Sequence, residues 1–253
     1  MELLDNIFKT EDIYLQLTSH KTQYPNYSIY RDFTTPELPL QNYTYINRFT
    51  SELDIRKIIQ TERKRMEVES LEFLRFVFDP YLPNAGELPE LSDFDFTCHY
   101  ILIFKMAKIE PFYANKYCQL ANEYEKDKLE KLLLKLNKDM WDVCTKHTNR
   151  WIDLKLNTKN IDTVVYATKG EYKGNCEIFY NNQIGKLEDF EVLEEFRDHG
   201  YGEALFNSAI SIAKSNNVDY LYLIADRNDW VVDYYLKKGA TLFAEYNSAT
   251  LYR

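Results

Sequence analysis

"EEFRDHGYGEALF", residues 194–206, places two glycines one residue apart in a 253-residue chain that has only seven. They follow a strand-like run, "IGKLEDFEVL" (184–193). They precede a stretch in which Leu205, Ala209, Ile212 and Ala213 recur at i, i+4, i+7 and i+8, one stripe of an amphipathic helix. Gly200 and Gly202 therefore mark a strand-to-helix junction. The first backbone N–H groups of a helix have no intrahelical partner and sit at the positive end of its dipole, so such a junction can hold an anion. Without a Cβ, the two glycines let an anion approach the main chain and permit a positive φ. Arg197 adds a charge and a planar donor fork.

Around this junction, "IDTVVYATKG" (161–170), "NCEIFY" (175–180) and "IGKLEDFEVL" are β-rich runs separated by "KGEYKG" and "NNQ", which predicts a three-strand antiparallel meander. "DYLYLIA" (219–225) reads as a buried strand entered from the helix end. "DRNDWVVDYYLKKGA" (226–240) carries Asp and Asn ahead of a short helical pattern and closes it with Lys-Lys-Gly. "TLFAEY" (241–246) and "SATLYR" (248–253) read as a closing pair of strands. The order is that of an α+β, or mixed α/β, domain with one βαβ crossover.

Upstream, Leu129, Leu132, Leu133 and Leu136 form one helical stripe, and Tyr117, Leu120, Ala121 and Tyr124 a second; "HYILIFKMAKI" (99–109) reads as a strand. Within residues 1–95, Ser51-x-x-Asp54 caps a helix carrying Leu53, Ile58 and Ile59, and an apolar strand follows at 71–78. "TERKRMEVE" (61–69) balances opposite charges, as an exposed helix face does. This helix-then-strand order repeats that of 202–225, the pattern of a degenerate internal duplication. The Pro-rich segment 79–93 marks the expected boundary between an N-terminal α+β region, 1–95, and a second domain, 96–253.

With 45% hydrophobic and 15% aromatic residues the chain can bury a large core. Lys and Arg number 31 against 40 Asp and Glu, a net charge of -9 that argues against nucleic acid or an anionic membrane as partner. Cys98, Cys118, Cys144 and Cys176 are widely spaced, as reduced thiols of a cytoplasmic protein are. His20, His99 and His147 lack ligand spacing, so no metal is expected. No signal peptide or membrane span is read, and oligomeric state is open.

A Walker loop would need Gly-Lys-Ser/Thr after the glycines, and a dinucleotide fingerprint a third glycine where Leu205 stands. "RDHGYG" instead resembles the Arg/Gln-x-x-Gly-x-Gly/Ala signature of the GNAT superfamily of acetyl-CoA-dependent N-acetyltransferases. Downstream, "NDWVVDYYLKKGA" is similar to the family's Asn-x-x-Ala-x-x-x-Tyr-x-x-x-Gly-Phe: Asn228, Tyr235 and Gly239 match. Val231 and Ala240 depart from it at packing positions. The resemblance spans roughly 99–253 by element order, with its specific motifs between 187 and 240.

The resemblance implies a GNAT-like fold, a central, mostly antiparallel sheet flanked by helices, with the N-terminal region a degenerate half. It also implies acetyl-CoA as co-substrate. Its pyrophosphate would lie on main-chain N–H groups from Arg197 through Gly200 and Tyr201 to Gly202, and its pantetheine arm along Phe190 to Leu193, Val192 included. Asn228 would contact the coenzyme, and Tyr235 would protonate the leaving thiolate. Lys186 stands where some members carry a carboxylate base, which leaves Glu188, two residues on, as the substitute. The implied reaction is direct acetyl transfer to a primary amine on a small molecule or peptide; the acidic β-strand favours a cationic one. The alternative is a GNAT-fold acyl-CoA-binding regulatory or scaffolding module without catalysis.

Overall fold

The computed structural model describes residues 2–82, 88–110, 115–138 and 141–253, the side chains of 141–146 excepted. In chain order the elements are α1 (Glu2–Leu15), β1 (His20–Gln23), β2 (Tyr27–Arg31), β3 (Tyr43–Ile46), α2 (Glu52–Glu69), β4 (Phe73–Phe78), β5 (Asp95–Lys105) and β6 (Cys118–Leu120). There follow α3 (Lys126–Leu136), α4 (Trp141–Asn157), β7 (Ile161–Thr168), β8 (Glu171–Asn181), β9 (Ile184–Val192), α5 (Tyr201–Ser215), β10 (Tyr220–Asp226), α6 (Val231–Lys237) and β11 (Thr241–Tyr252). They form two compact units: Met1–Thr10 with Ile103–Leu223, and Glu11–Leu102 with Ile224–Arg253.

In the unit of Glu11–Leu102 and Ile224–Arg253 the strand order is β1-β2-β3-β4-β11-β5. β1, β2 and β3 form an antiparallel meander, β3 runs parallel to β4 across α2, and β11 lies antiparallel to β4. Ser51 starts α2, its hydroxyl accepting from the Asp54 N–H at 3.2 Å. Ile55, Ile58, Ile59, Glu62 and Met66 are its buried stripe, packed with Ile46, Leu74, Phe76, Phe78 and Ala249. By strand alternation Arg75, Tyr43, Tyr45, Ser248 and Thr250 lie on the sheet face opposite that core.

In the other unit the order is β10-β9-β8-β7-β6. The predicted meander, β7-β8-β9, is antiparallel throughout, and β10 returns parallel to β9 after α5. Leu205 of α5 lies over Gly174 and Tyr201 over Tyr166, which puts α5 on the face of Val164, Tyr166, Gly174 and Cys176. α3 and α4 cover the other face, where Leu129, Leu132, Leu133 and Ile152 bury Val165 and Tyr172. Both units thus carry a meander, a crossover helix and a parallel strand in the same order. The fold is α+β with mostly antiparallel sheet flanked by helices, as expected.

Several local expectations need correction. Residues 117–124 are not a helix: Cys118–Leu120 form β6, paired with β7, and Ala121 extends the pairing by donating to the Thr163 carbonyl, so sheet contact overrides helical spacing. Residues 241–252 are one strand rather than two, since "YNSA" offers no glycine or proline to turn on and Ser248 is buried in the pairing with β4. Leu53 is exposed and Ile55 takes its place in the core. Glu62, in the segment read as an exposed face, is only 3% accessible and binds Arg31, Arg65 and Thr44. Cys98, Cys118 and Cys176 are free thiols, and the Cys144 side chain lies outside the described residues. Among the described residues no helix is long and apolar enough to cross a membrane.

Ile59 is fully buried between α2 and its sheet. Ile59→Ala is expected to lower the unfolding free energy by about 2–5 kcal/mol, read from the denaturant midpoint at unchanged slope.

Candidate anion-binding site between β9 and α5

Pairing between β8 and β9 loses register in mid-strand. Asn175 faces Glu191 and Glu177 faces Glu188, so Asp189 and Phe190 together oppose Cys176. This is a β-bulge, and Asp189 takes a left-handed φ of 47° to make it. A non-glycine residue holds such a conformation only where its surroundings compel it. Here the compulsion is ionic. Lys155 reaches from α4 to place its Nζ 2.5 Å from Asp189 Oδ2 and 2.8 Å from Glu177 Oε2. Burial alone would lower the Lys155 pKa, but the Asp189 and Glu177 carboxylates outweigh it and hold the ammonium above its usual range. The Asn175 side chain ties the bulge again, donating to the Asp189 carbonyl at 2.9 Å.

The bulge coincides with divergence of the sheet. β9 is registered with β10 only through Ile184, Gly185 and Lys186; Leu187–Val192 are paired on the β8 side alone. An open parallel edge of this kind can take a strand-like ligand carrying amides. Val192 and Leu193 are buried, and the Leu193 N–H is already committed to the Lys173 carbonyl at 3.0 Å. Glu188 lies on the face expected of it, but its carboxylate is held at 2.8 Å by the buried Lys186 ammonium.

Beyond β9 the chain makes a 3-10 turn at Glu194–Phe196 and then exposes its backbone. Arg197 donates from Nε to the Val192 carbonyl at 3.2 Å, and Nδ1 of His199 lies 2.7 Å from the Arg197 carbonyl. Gly200 ends the loop at φ 77°, the N-cap of α5, and no side chain caps the helix. A Cβ built on Gly202 would meet nothing closer than 3.9 Å, the ring of Phe190 and the Val192 side chain. The protein's own packing therefore does not require a glycine there, and space above the first turn of α5 is left for something else. Tyr201 stacks on Tyr166 at 4.2 Å and 14°, pinning that turn to β7.

The structure brings Glu188, Val192, Leu193, Arg197, Gly200, Tyr201 and Gly202 together on one strand-loop-helix junction. Asn228 and Tyr235 lie in the other unit. The Asn228 amide donates to Asp226 Oδ1 at 2.9 Å, and Trp230, not Asn228, is the N-cap of α6. Tyr235 is buried in α6, its carbonyl accepting from the Lys238 and Ala240 amides. Lys155 and Glu177 are the residues that sequence reading missed. One signal was available, a lysine within an otherwise apolar helical stripe opposite acidic strand positions.

The site is thus an uncapped, glycine-opened helix N-terminus after a bulged strand in an α+β fold. Residues 122–240 match the acetyltransferase (GNAT) family. A relative named as an uncharacterized N-acetyltransferase, CgeE of Bacillus subtilis (strain 168), is 35% identical over 66 residues, 25% of this chain and 26% of the relative. The fold matches, over 96% of this chain and 97% of the other, a functionally unknown conserved protein from Staphylococcus epidermidis ATCC 12228 (TM-score 0.71, 18% identity). It also matches a GCN5-related N-acetyltransferase from Kribbella flavida (TM-score 0.69, 10% identity, 97% and 94% coverage).

Two substitutions separate conformation from space. Gly200→Ala should cost about 1–2 kcal/mol for its left-handed φ, whereas Gly202→Ala should leave stability unchanged or raise it by up to about 1 kcal/mol, measured by thermal unfolding. Lys155→Met, which strands the Glu177 carboxylate, should cost about 3–5 kcal/mol, and adding Glu177→Leu should recover part of it in a double-mutant cycle.

Proposed function

We propose that the protein is an acetyl-CoA-dependent N-acetyltransferase that acetylates a primary amine. The observation that carries this reading is the open first turn of α5, where Gly202 lacks a Cβ that the protein could accommodate. The unpaired edge of β9 beside it supports the same ligand, since diphosphate and strand-like amides are the two features a coenzyme A molecule presents. Acetyl-CoA, when bound, supplies a thioester acetyl group to the neutral amine directly, in a ternary complex.

The chain's own groups then have distinct tasks. Backbone N–H groups from Arg197 to Gly202, with the Arg197 guanidinium, hold the diphosphate. The β9 main chain orients the amide arm, and its bulge aims backbone donors at the carbonyl that gains charge. Tyr235 donates its phenolic proton to the departing thiolate, and Asn228 steadies the coenzyme from the start of α6. Glu188, paired with Lys186, receives the amine proton through water. The thiols of Cys98, Cys118 and Cys176 are all pushed up by burial, which favours direct transfer over an acyl-cysteine. The N-terminal region, 1–95, we take to be a degenerate GNAT-like half, and 96–253 a transferase domain.

A second reading, a GNAT-fold module that binds acyl-CoA without catalysis, draws on the Lys186–Glu188 pair at the position of the family's carboxylate. Calorimetric titration of acetyl-CoA into the wild type and Gly202→Asp is the first test. Binding that disappears in the folded variant supports the site, and no binding to the wild type removes it. With binding established, Tyr235→Phe should lower turnover of an amine that the wild type acetylates by about 10²- to 10⁴-fold. A loss under about threefold removes Tyr235 as the acid. Binding without turnover on any amine favours the second reading.

A further inference from the structure

Within Glu11–Leu102, five arginines are met by carboxylates. Arg31 and Arg65 share Glu62, Arg48 holds Asp79, Arg56 holds Glu52 and Glu90, and Arg63 pairs with Asp93. Arg75, on β4, is different. Its Nε is buried with no hydrogen-bond partner, and the titratable groups that act on it are the phenols of Tyr246, Tyr43 and Tyr252, with no carboxylate among them. Burial lowers its pKa, the direction of a guanidinium taken from water without a counter-ion. Leaving such a donor unmatched is costly, and folded proteins seldom do so without a purpose.

The neighbours of Arg75 are built for an oxyanion. Arg75 is paired across the sheet with Thr250, and Ser248 lies two residues along on the same face, both buried. His99 of β5 stacks on Tyr246 at 4.9 Å, and its Nε2 lies 2.8 Å from Ser248 Oγ. Burial, and then the Arg75 charge, lower the His99 pKa to about 4, so at neutral pH the ring is an uncharged hydrogen-bonding group. Asp226 acts on His99, but its carboxylate already accepts the Asn228 amide. Arg75 is partly open to solvent, so a ligand can reach the fork. The cluster presents one guanidinium, hydroxyls and a neutral imidazole, and among the described residues no carboxylate forms an ion pair with Arg75.

We propose that Arg75, with His99, Ser248, Thr250 and Tyr246, forms a binding site for a carboxylate or phosphate group. The proposal does not depend on the acetyltransferase reading.

The test uses the full chain with ¹⁵N-labelled arginine, the Arg75 Nε–H signal being identified by its loss in Arg75→Met. Inorganic phosphate and acetate are titrated separately at constant ionic strength. A saturable shift confined to Arg75 supports the site, and the stronger of the two ions identifies the group. A shift no larger than that of Arg253, or one that chloride reproduces, overturns it. A second arm titrates the stronger ion into Arg75→Lys, which keeps the charge and loses the fork. An affinity about 10- to 100-fold weaker supports the site, and an unchanged affinity overturns it. Should Arg75→Met fail to fold, the Arg75 signal is identified by its loss in Arg75→Lys.

Discussion

A buried ammonium must be met by negative charge, and in the unit that carries the glycine loop Lys155 sets the path of the backbone through that requirement. It draws Asp189 into a conformation that a non-glycine residue otherwise avoids, and the extra residue bends β9. Past the bend β9 keeps β8 and leaves β10. The separated edge, the exposed loop and the glycine at the start of α5 are successive consequences along about a dozen residues. Packing supports the result from both sides, Tyr166 against Tyr201 on one face and the α3–α4 core on the other.

The second meander shows what happens without those elements. Its crossover helix, α2, begins with Ser51, whose hydroxyl occupies the helix N-terminus that α5 leaves bare. Its strands β3 and β4 stay in register as far as Ile46 and Phe78, with no parting at the end. The same succession of elements thus yields an open helix end in one unit and a closed one in the other. A serine in place of a glycine and the lack of a bulge account for the difference, and the charged groups of that half are spent on internal pairs such as Arg31–Glu62 and Arg48–Asp79.

What could be read from the sequence followed from chemistry that is local. Runs of β-branched and aromatic residues and short Gly/Asn turns specify β7-β8-β9, apolar spacing specifies α5, and Gly200 and Gly202 specify their junction. β1, β2 and β3 are four or five residues long and rich in tyrosine and polar residues, so neither alternation nor length separates them from loop. β6 exists because β7 offers an edge, a fact absent from its own residues. Glu62 looks solvated in a run of alternating charge, and only the arrival of Arg31 from β2 makes its burial sensible. For the site, the glycines and Arg197 were visible, whereas the Lys155 ion cluster joins three separated segments and showed only as a lysine within an apolar helical stripe.

β11 has a consequence for biosynthesis. Its residues Ser248–Tyr252 pair with Phe73–Val77 of β4, so β4 acquires this neighbour only after residues 248–252 have been made. On the ribosome the apolar face of β4 can be covered early by α2, but its other edge waits through the synthesis of some 170 further residues. At ordinary elongation speeds that is a delay of roughly ten to thirty seconds. During it the nascent chain carries an unprotected strand edge, and a cell making this protein has reason to keep a chaperone near the tunnel exit.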